Sequence, residues 1–81
     1  MNWHNIYKEP LPKTDKDKDL LIRSCDIPME YVAITWDGKE AWMFFPSENS
    51  LWIALPSFVK IEDWAFINES DEIEYNKNDK L

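Results

Sequence analysis

Cys25 and His4 are the only residues of their types, so they are the only thiol and imidazole available for nucleophilic catalysis. A cysteine nucleophile needs a base beside it, and the sequence does not show that these two residues meet. Glu62 and Asp63 are adjacent carboxylates, but neighbouring strand residues point to opposite faces and do not form an acid–base pair. We therefore expect no enzymatic activity.

Metal and cofactor sites of the common kinds are not indicated either. One histidine and one cysteine are too few for a zinc site built from nitrogen and sulfur ligands. Gly38 is the only glycine, which excludes a glycine-rich phosphate loop. The sequence predicts neither a metal nor a cofactor.

The charge balance restricts the classes of partner. The chain has 16 acidic and 9 basic residues, for a net charge of −7. Nucleic acids and anionic membranes are bound through Lys and Arg, so we expect no direct binding to either. A protein partner with a basic surface is compatible with this charge, because opposite charge steers association.

The aromatic content provides both a core and a candidate interaction surface. The chain has five Trp, four Phe and three Tyr, and each aromatic side chain removes roughly 150–250 Å² from water when it is buried. So many aromatics in a short chain leave some exposed, and Trp and Tyr dominate interface hot spots. The predicted aromatic contacts are Tyr31, Trp42, Phe44, Trp52 and Trp64.

Acidic side chains form a second candidate surface. Residues 20–67 contain seven acids and three bases. Arranged on one side, these acids could imitate duplex phosphates and occupy a nucleic-acid-binding protein; the alternative is that they only keep a small domain soluble. The predicted acidic contacts are Asp26, Glu30, Glu40, Glu48, Glu62 and Asp63.

The stretch YVAITWDGKEAWMFF, residues 31–45, predicts a β-hairpin. Asp37-Gly38 favours a two-residue type I′ turn, which would place Trp36 opposite Lys39. One face is then a core face, and the other, around Tyr31, Ala33, Trp42 and Phe44, needs a cover. The core face would carry Val32, Ile34, Trp36, Ala41, Met43 and Phe45. Trp3 and Tyr7, together with Trp64, are predicted to cover part of the second face, and a second protein surface the rest.

The predicted fold is mainly β or α+β, a small antiparallel meander of about five strands with a short N-terminal helical turn capped by Asn2. Further strands are expected at 20–25, at 51–55 and within 57–67, where a short helix over 62–67 is the alternative. Residues 1–67 would form one domain. Residues 68–81 are acidic and poor in apolar side chains, so we expect a flexible tail.

The N-terminal residues resemble those of a phage- and prophage-associated family, domain of unknown function 551. The resemblance rests on Trp3, Ile6, Leu11-Pro12, the following KTDKDKD run and the strand beginning at Leu20. Trp52 corresponds to a later Trp of the family, whereas Asp63-Trp64 stands where the family has His-Trp. The resemblance implies a phage or mobile-element origin and assigns no catalytic residue.

These observations favour a small acidic protein-interaction module that binds, and in doing so inhibits, a host protein. The alternative is a structural homodimer in which a second copy buries the second hairpin face. A cytoplasmic location is expected, because the chain has one cysteine, no stretch of 18 apolar residues and no apolar leader.

Overall fold

The computed structural model describes residues 1–45 and 51–79 of the chain. The fold is mainly β, as predicted: within these residues, six antiparallel strands form one open sheet in the order β1-β6-β2-β3-β4-β5, and one helix follows. The elements are β1 (His4–Asn5), β2 (Lys18–Arg23), β3 (Val32–Trp36), β4 (Ala41–Phe45), β5 (Leu51–Ala54), β6 (Asp63–Phe66) and α1 (Glu69–Asp79).

The sheet is a meander only in part. Strands β2 to β5 pair in chain order, whereas β6 returns to the other side of β2 and β1 adds outside it. The predicted helical turn capped by Asn2 is not seen, because His4 and Asn5 pair with β6 instead. A turn follows β1, and the side chain of Asn5 accepts the backbone N–H of Tyr7 at 3.0 Å.

One face of the sheet holds the hydrophobic core. Its buried residues are Leu20, Ile22, Ile34, Trp64 and Phe66. Val32, Trp36, Ala41 and Met43 pack against them, which confirms the core face predicted for the hairpin. The side chain of Phe45 lies outside the described part of the chain.

Two segments cover this core face. Residues 6–14 cross it, anchored where Trp64 Nε1 donates to the Glu9 carbonyl and Trp36 Nε1 to the Pro12 carbonyl, each at 2.7 Å. Helix α1 covers the β6 side, where the Tyr75 ring lies 5.3 Å from the Trp64 ring. The N–H groups of buried Trp64 and partly buried Trp36 are therefore both satisfied.

The hairpin turn is longer than predicted. Trp36 pairs with Ala41 rather than Lys39, so residues 37–40 form the loop. The Asp37 carboxylate accepts the N–H groups of Lys39 at 2.8 Å and Glu40 at 2.7 Å, and these bonds lower the pKa of Asp37. Such side-chain bonds favour a local turn over ladder pairing, which explains the register. Gly38 has the expected positive φ, +96°.

Residues 69–79 are helical, which corrects the expectation of a flexible tail. Acidic residues occupy the first turn of α1 and Lys77 the last, as the helix dipole favours. Asp71 forms a 2.9 Å ion pair with Lys18, and Tyr75 packs on the core. Ile73, by contrast, stays 57% exposed. Polar contacts and one aromatic ring therefore hold a helix that has little apolar surface.

Candidate functional site

The sheet face opposite the core carries a row of aromatic side chains. We call it the aromatic face and define it by Tyr31, Ala33, Trp42, Phe44 and Trp52, which strand alternation places on one side. Tyr31, Phe44 and Trp52 are 50%, 46% and 55% exposed. Helix α1 and segment 6–14 pack on the other face, so neither covers this one.

The centre of the aromatic face is a cross-strand pair. Phe44 on β4 lies directly opposite Trp52 on β5, with ring centroids 5.0 Å apart. A shallow groove of about 190 Å³ lies beside this pair, and Trp42 and Ile67 also line it. A rigid apolar ridge next to a groove is the kind of surface that fits an apolar protein partner.

Trp3 supplies part of the predicted cover. Its ring lies 6.4 Å from that of Tyr31, and the Arg23 guanidinium carbon lies 3.9 Å from the Trp3 ring centroid. Arg23 also pairs with Asp63 at 3.3 Å. The prediction that Tyr7 also covers the aromatic face is wrong, because its side chain is 85% exposed.

Trp64 is not a surface residue. It is completely buried on the core face and stacks on His4, with ring centroids 4.3 Å apart. The structure therefore removes Trp64 both from the predicted interaction residues and from the predicted cover of the aromatic face.

The predicted acidic residues do not form one surface. Asp26 accepts the Lys60 N–H at 2.9 Å and Glu62 accepts the Cys25 N–H at 2.7 Å, so both carboxylates fix local backbone. Asp63 is paired with Arg23, as described above. Glu30 and Glu40 are exposed at opposite ends of the hairpin, and Glu48 lies outside the described residues.

Strand β5 is a bare sheet edge. It pairs only with β4 in the described sheet, and all four of its residues are exposed. Trp52 belongs to the aromatic face, whereas Leu51 and Ile53 lie on the core-face side, where they remain 49% and 43% exposed. Apolar side chains on both faces of an unprotected edge strand indicate an interface.

A buried histidine cluster joins the two ends of the chain, and sequence reasoning missed it. His4 Nδ1 lies 2.9 Å from Glu9 Oε2, and Nε2 lies 2.9 Å from Glu72 Oε2. Asn2 also donates to Glu72, at 3.0 Å. Burial by itself lowers the pKa of His4, but hydrogen bonds and charge from Glu72 and Glu9 outweigh it and raise the pKa above 6.5.

This cluster makes stability depend on pH. Because the folded pKa of His4 lies above its unfolded value, the stabilisation is complete below about pH 6.5 and is lost as the pH rises through the folded pKa. We expect the free energy of unfolding to fall over that window in the wild type. His4→Gln, which does not titrate, should flatten this dependence.

The measurement is direct because His4 is the only histidine. Its Cε1 proton can be followed by NMR from about pH 5 to about pH 9, a range that includes its ordinary titration near 6.5 and extends further above it. A midpoint above 6.5 agrees with two carboxylates on the ring. A midpoint at or below 6.5 would contradict this geometry.

The candidate catalytic pair is not assembled. Both ring nitrogens of His4 bond to carboxylates, and Cys25 is exposed in the turn after β2. Within residues 1–45 and 51–79, no group of three or more His, Cys, Asp or Glu is placed to hold a metal ion. Among the described residues, no helix is both long and apolar enough to cross a membrane.

A second groove, of about 640 Å³, lies between residues 10–18 and α1. Leu11, Phe66 and Tyr75 contribute apolar lining, while Lys16 and Asp71 contribute opposite charges. Such a mixed lining selects no class of ligand.

The chain matches no family model, no curated protein and no solved structure. The resemblance to domain of unknown function 551 therefore stays a prediction.

Proposed function

We propose that this protein is a protein-interaction module that binds a partner protein through the aromatic face. The observation that carries the proposal is the half-exposed Phe44–Trp52 pair on a sheet face that α1 and segment 6–14 leave open. Holding these rings on paired strands fixes them before binding, so little side-chain entropy is lost.

The chemistry of the partner follows from this aromatic pair and from the net charge of the whole chain. Its contact surface is apolar at the centre, to match Phe44 and Trp52, and basic at the rim, to match a chain of net charge −7. The dispersed carboxylates favour this arrangement over phosphate mimicry, because Asp26 and Glu62 already accept the backbone N–H groups of Lys60 and Cys25.

The resemblance to a phage-associated family extends the proposal to a bacterial host protein, which binding would inhibit. A cytoplasmic location fits the single cysteine, which is free and exposed. Under this proposal, the protein recognises a partner and catalyses no reaction.

The test is a pull-down from bacterial lysate with tagged wild type, Phe44→Ser and Phe58→Ser. Phe58 is 69% exposed and lies outside the strands, so its substitution removes an equal aromatic ring away from the aromatic face. We expect one specific protein with the wild type and Phe58→Ser, and at least tenfold less of it with Phe44→Ser, as for an aromatic hot spot worth about 2 kcal/mol.

Salt separates the two ways of binding. Raising the salt from about 0.1 M to about 1 M shortens the screening length from about 10 Å to about 3 Å. Aromatic docking keeps the partner at high salt, whereas a partner released by salt and indifferent to Phe44→Ser would favour acidic mimicry. Recovery of no partner from the wild type would count against both.

A further inference from the structure

We infer that strand β5 pairs antiparallel with β5 of a second copy, about a two-fold axis at Ile53, so that two sheets join edge to edge. The pairing uses the edge of the sheet and does not depend on a partner at the aromatic face. It accounts for an edge strand whose four residues are all exposed.

The backbone of β5 presents suitable groups at this edge. Leu55 donates its N–H to the Ala41 carbonyl at 2.8 Å, so alternation directs Leu51 and Ile53 towards β4 as well. The N–H and C=O groups of Trp52 and Ala54 therefore face the open edge. Within residues 1–45 and 51–79, no hydrogen bond reaches these groups, and open groups of this kind are what a further strand binds.

The side chains favour a register centred on Ile53. In an antiparallel pair, directly opposed residues share a face. Centring on Ile53 places Trp52 opposite the partner's Ala54, so that each large ring meets a small side chain and the two residues exchange both backbone hydrogen bonds. On the other face, Ile53 meets the partner's Ile53, and Leu51 meets the partner's Leu55.

Charge favours a second copy at this edge. Two chains of net charge −7 repel each other, but between Ala41 and Val59 the sequence carries a single charged residue, Glu48. The other charged side chains belong to other segments, so the end of the sheet formed by β4 and β5 carries little charge. Like-charge repulsion is weakest there, and β5 carries none of the Lys or Pro residues that commonly block edge pairing.

The available area sets the expected strength. Leu51, Trp52 and Ile53 on β5 are each about half exposed. Since a buried aromatic ring covers roughly 150–250 Å², these three partly exposed residues offer on the order of 300 Å² per copy. A total of about 600 Å² is below the roughly 1,200 Å² of a standard specific interface, so we expect a weak dimer that dissociates on dilution below about 1 mM.

Sedimentation equilibrium tests the pairing, with protein from about 1 µM to about 1 mM. The wild type should pass from monomer to dimer. Ile53→Lys and Ile53→Glu should each stay monomeric, because the two-fold axis places like charges directly opposite each other. An equimolar mixture of these two variants should dimerise again, and this recovery also shows that both are folded.

Two further variants complete the design. Ala54→Pro removes an N–H that faces the open edge and keeps the bonds to β4, so it should also be monomeric. Phe58→Lys adds the same charge outside the strands and should dimerise like the wild type. Circular dichroism should show the same strand content in all variants.

Several results would overturn the inference. If the wild type is monomeric at every concentration, β5 does not pair with a second copy, and its open edge would instead bind a strand of another protein. A mixture of Ile53→Lys and Ile53→Glu that stays monomeric excludes a two-fold axis at Ile53. A dimer that survives Ile53→Lys but is lost in Phe44→Ser packs through the aromatic face instead.

Discussion

Gly38→Val is expected to lower the melting temperature by about 10 °C or more, the shift that a loss of about 2–4 kcal/mol produces in a domain of this size. Gly38 has a φ of +96°, a conformation in which a β-branched residue is strained. An added Cβ would also overlap the carbonyl oxygen of Thr14, which belongs to the backbone and cannot swing aside. The turn and segment 6–14 would have to separate.

The position of Thr14 explains why the effect reaches beyond the turn. Segment 6–14 covers the core through the Pro12 carbonyl, which accepts the indole N–H of Trp36 at 2.7 Å. A displacement at Thr14, two residues later, therefore loosens the cover over Trp36 as well as straining the hairpin. Loss of this partly buried indole hydrogen bond adds to the cost of backbone strain.

Lys39→Val is the matched control for this prediction. It places the same side chain next to Gly38, where Lys39 is exposed and its backbone N–H can still bond to Asp37. We expect its free energy of unfolding to lie within about 0.5 kcal/mol of the wild type. Equal melting temperatures for Gly38→Val and Lys39→Val would show that the close approach to Thr14 is absent in solution.

The hairpin shows how a wrong register can still predict the correct faces. The loop of residues 37–40 shifts the pairing by two residues relative to a two-residue turn, so Trp36 meets Ala41. Because side chains alternate with a period of two, this shift leaves every residue on its predicted face. The Asp-Gly signal located the turn and the positive φ, but the hydrogen bonds to the Asp37 carboxylate decided its length.

Strand alternation also predicts much of the candidate site. It placed Tyr31, Phe44 and Trp42 on the second hairpin face, and the first two are about half exposed. Trp64 could not be assigned in this way, because its side depends on the return of β6 beside β2, a pairing between residues distant in sequence. The bare edge at β5 follows from the same strand order.

Helix α1 shows what a count of apolar residues leaves out. Residues 68–81 contain few of them, which favours disorder. The helix is nevertheless held by Tyr75 and by the carboxylates of Asp71 and Glu72, which meet Lys18 and His4. Acidic residues normally indicate solvent exposure. Asp71 and Glu72 instead contact residues far away in the sequence, and no local sequence pattern predicts such contacts.

Deleting residues 69–81 is therefore expected to remove most or all of the cooperative unfolding transition. The deletion uncovers Trp64 and Phe66, both buried beside Tyr75, and leaves His4 without Glu72. A domain of this size has a total stability of only about 4–12 kcal/mol. Exposing part of a small core while breaking a buried ion pair costs a comparable amount.

Two substitutions in α1 distinguish the loss of stability caused by undocking the helix from that caused by shortening the chain. Tyr75→Ala removes the ring that packs on Trp64 and Phe66, and should cost about 2–3 kcal/mol, less than a fully buried aromatic because Tyr75 is half-buried. Ile73→Ala changes a side chain that is 57% exposed and should cost under about 0.5 kcal/mol. Both can be measured by urea unfolding followed through tryptophan fluorescence.

The order of these effects decides between two descriptions of the C-terminal residues. If the deletion and Tyr75→Ala both destabilise while Ile73→Ala does not, the helix is part of the core, docked through Tyr75. If all three melt with the wild type, the acidic segment is the flexible tail that its composition predicts. In the docked case, the deletion also takes away Glu72, one of the two carboxylates that raise the pKa of His4, so the pKa of His4 should fall towards its ordinary value.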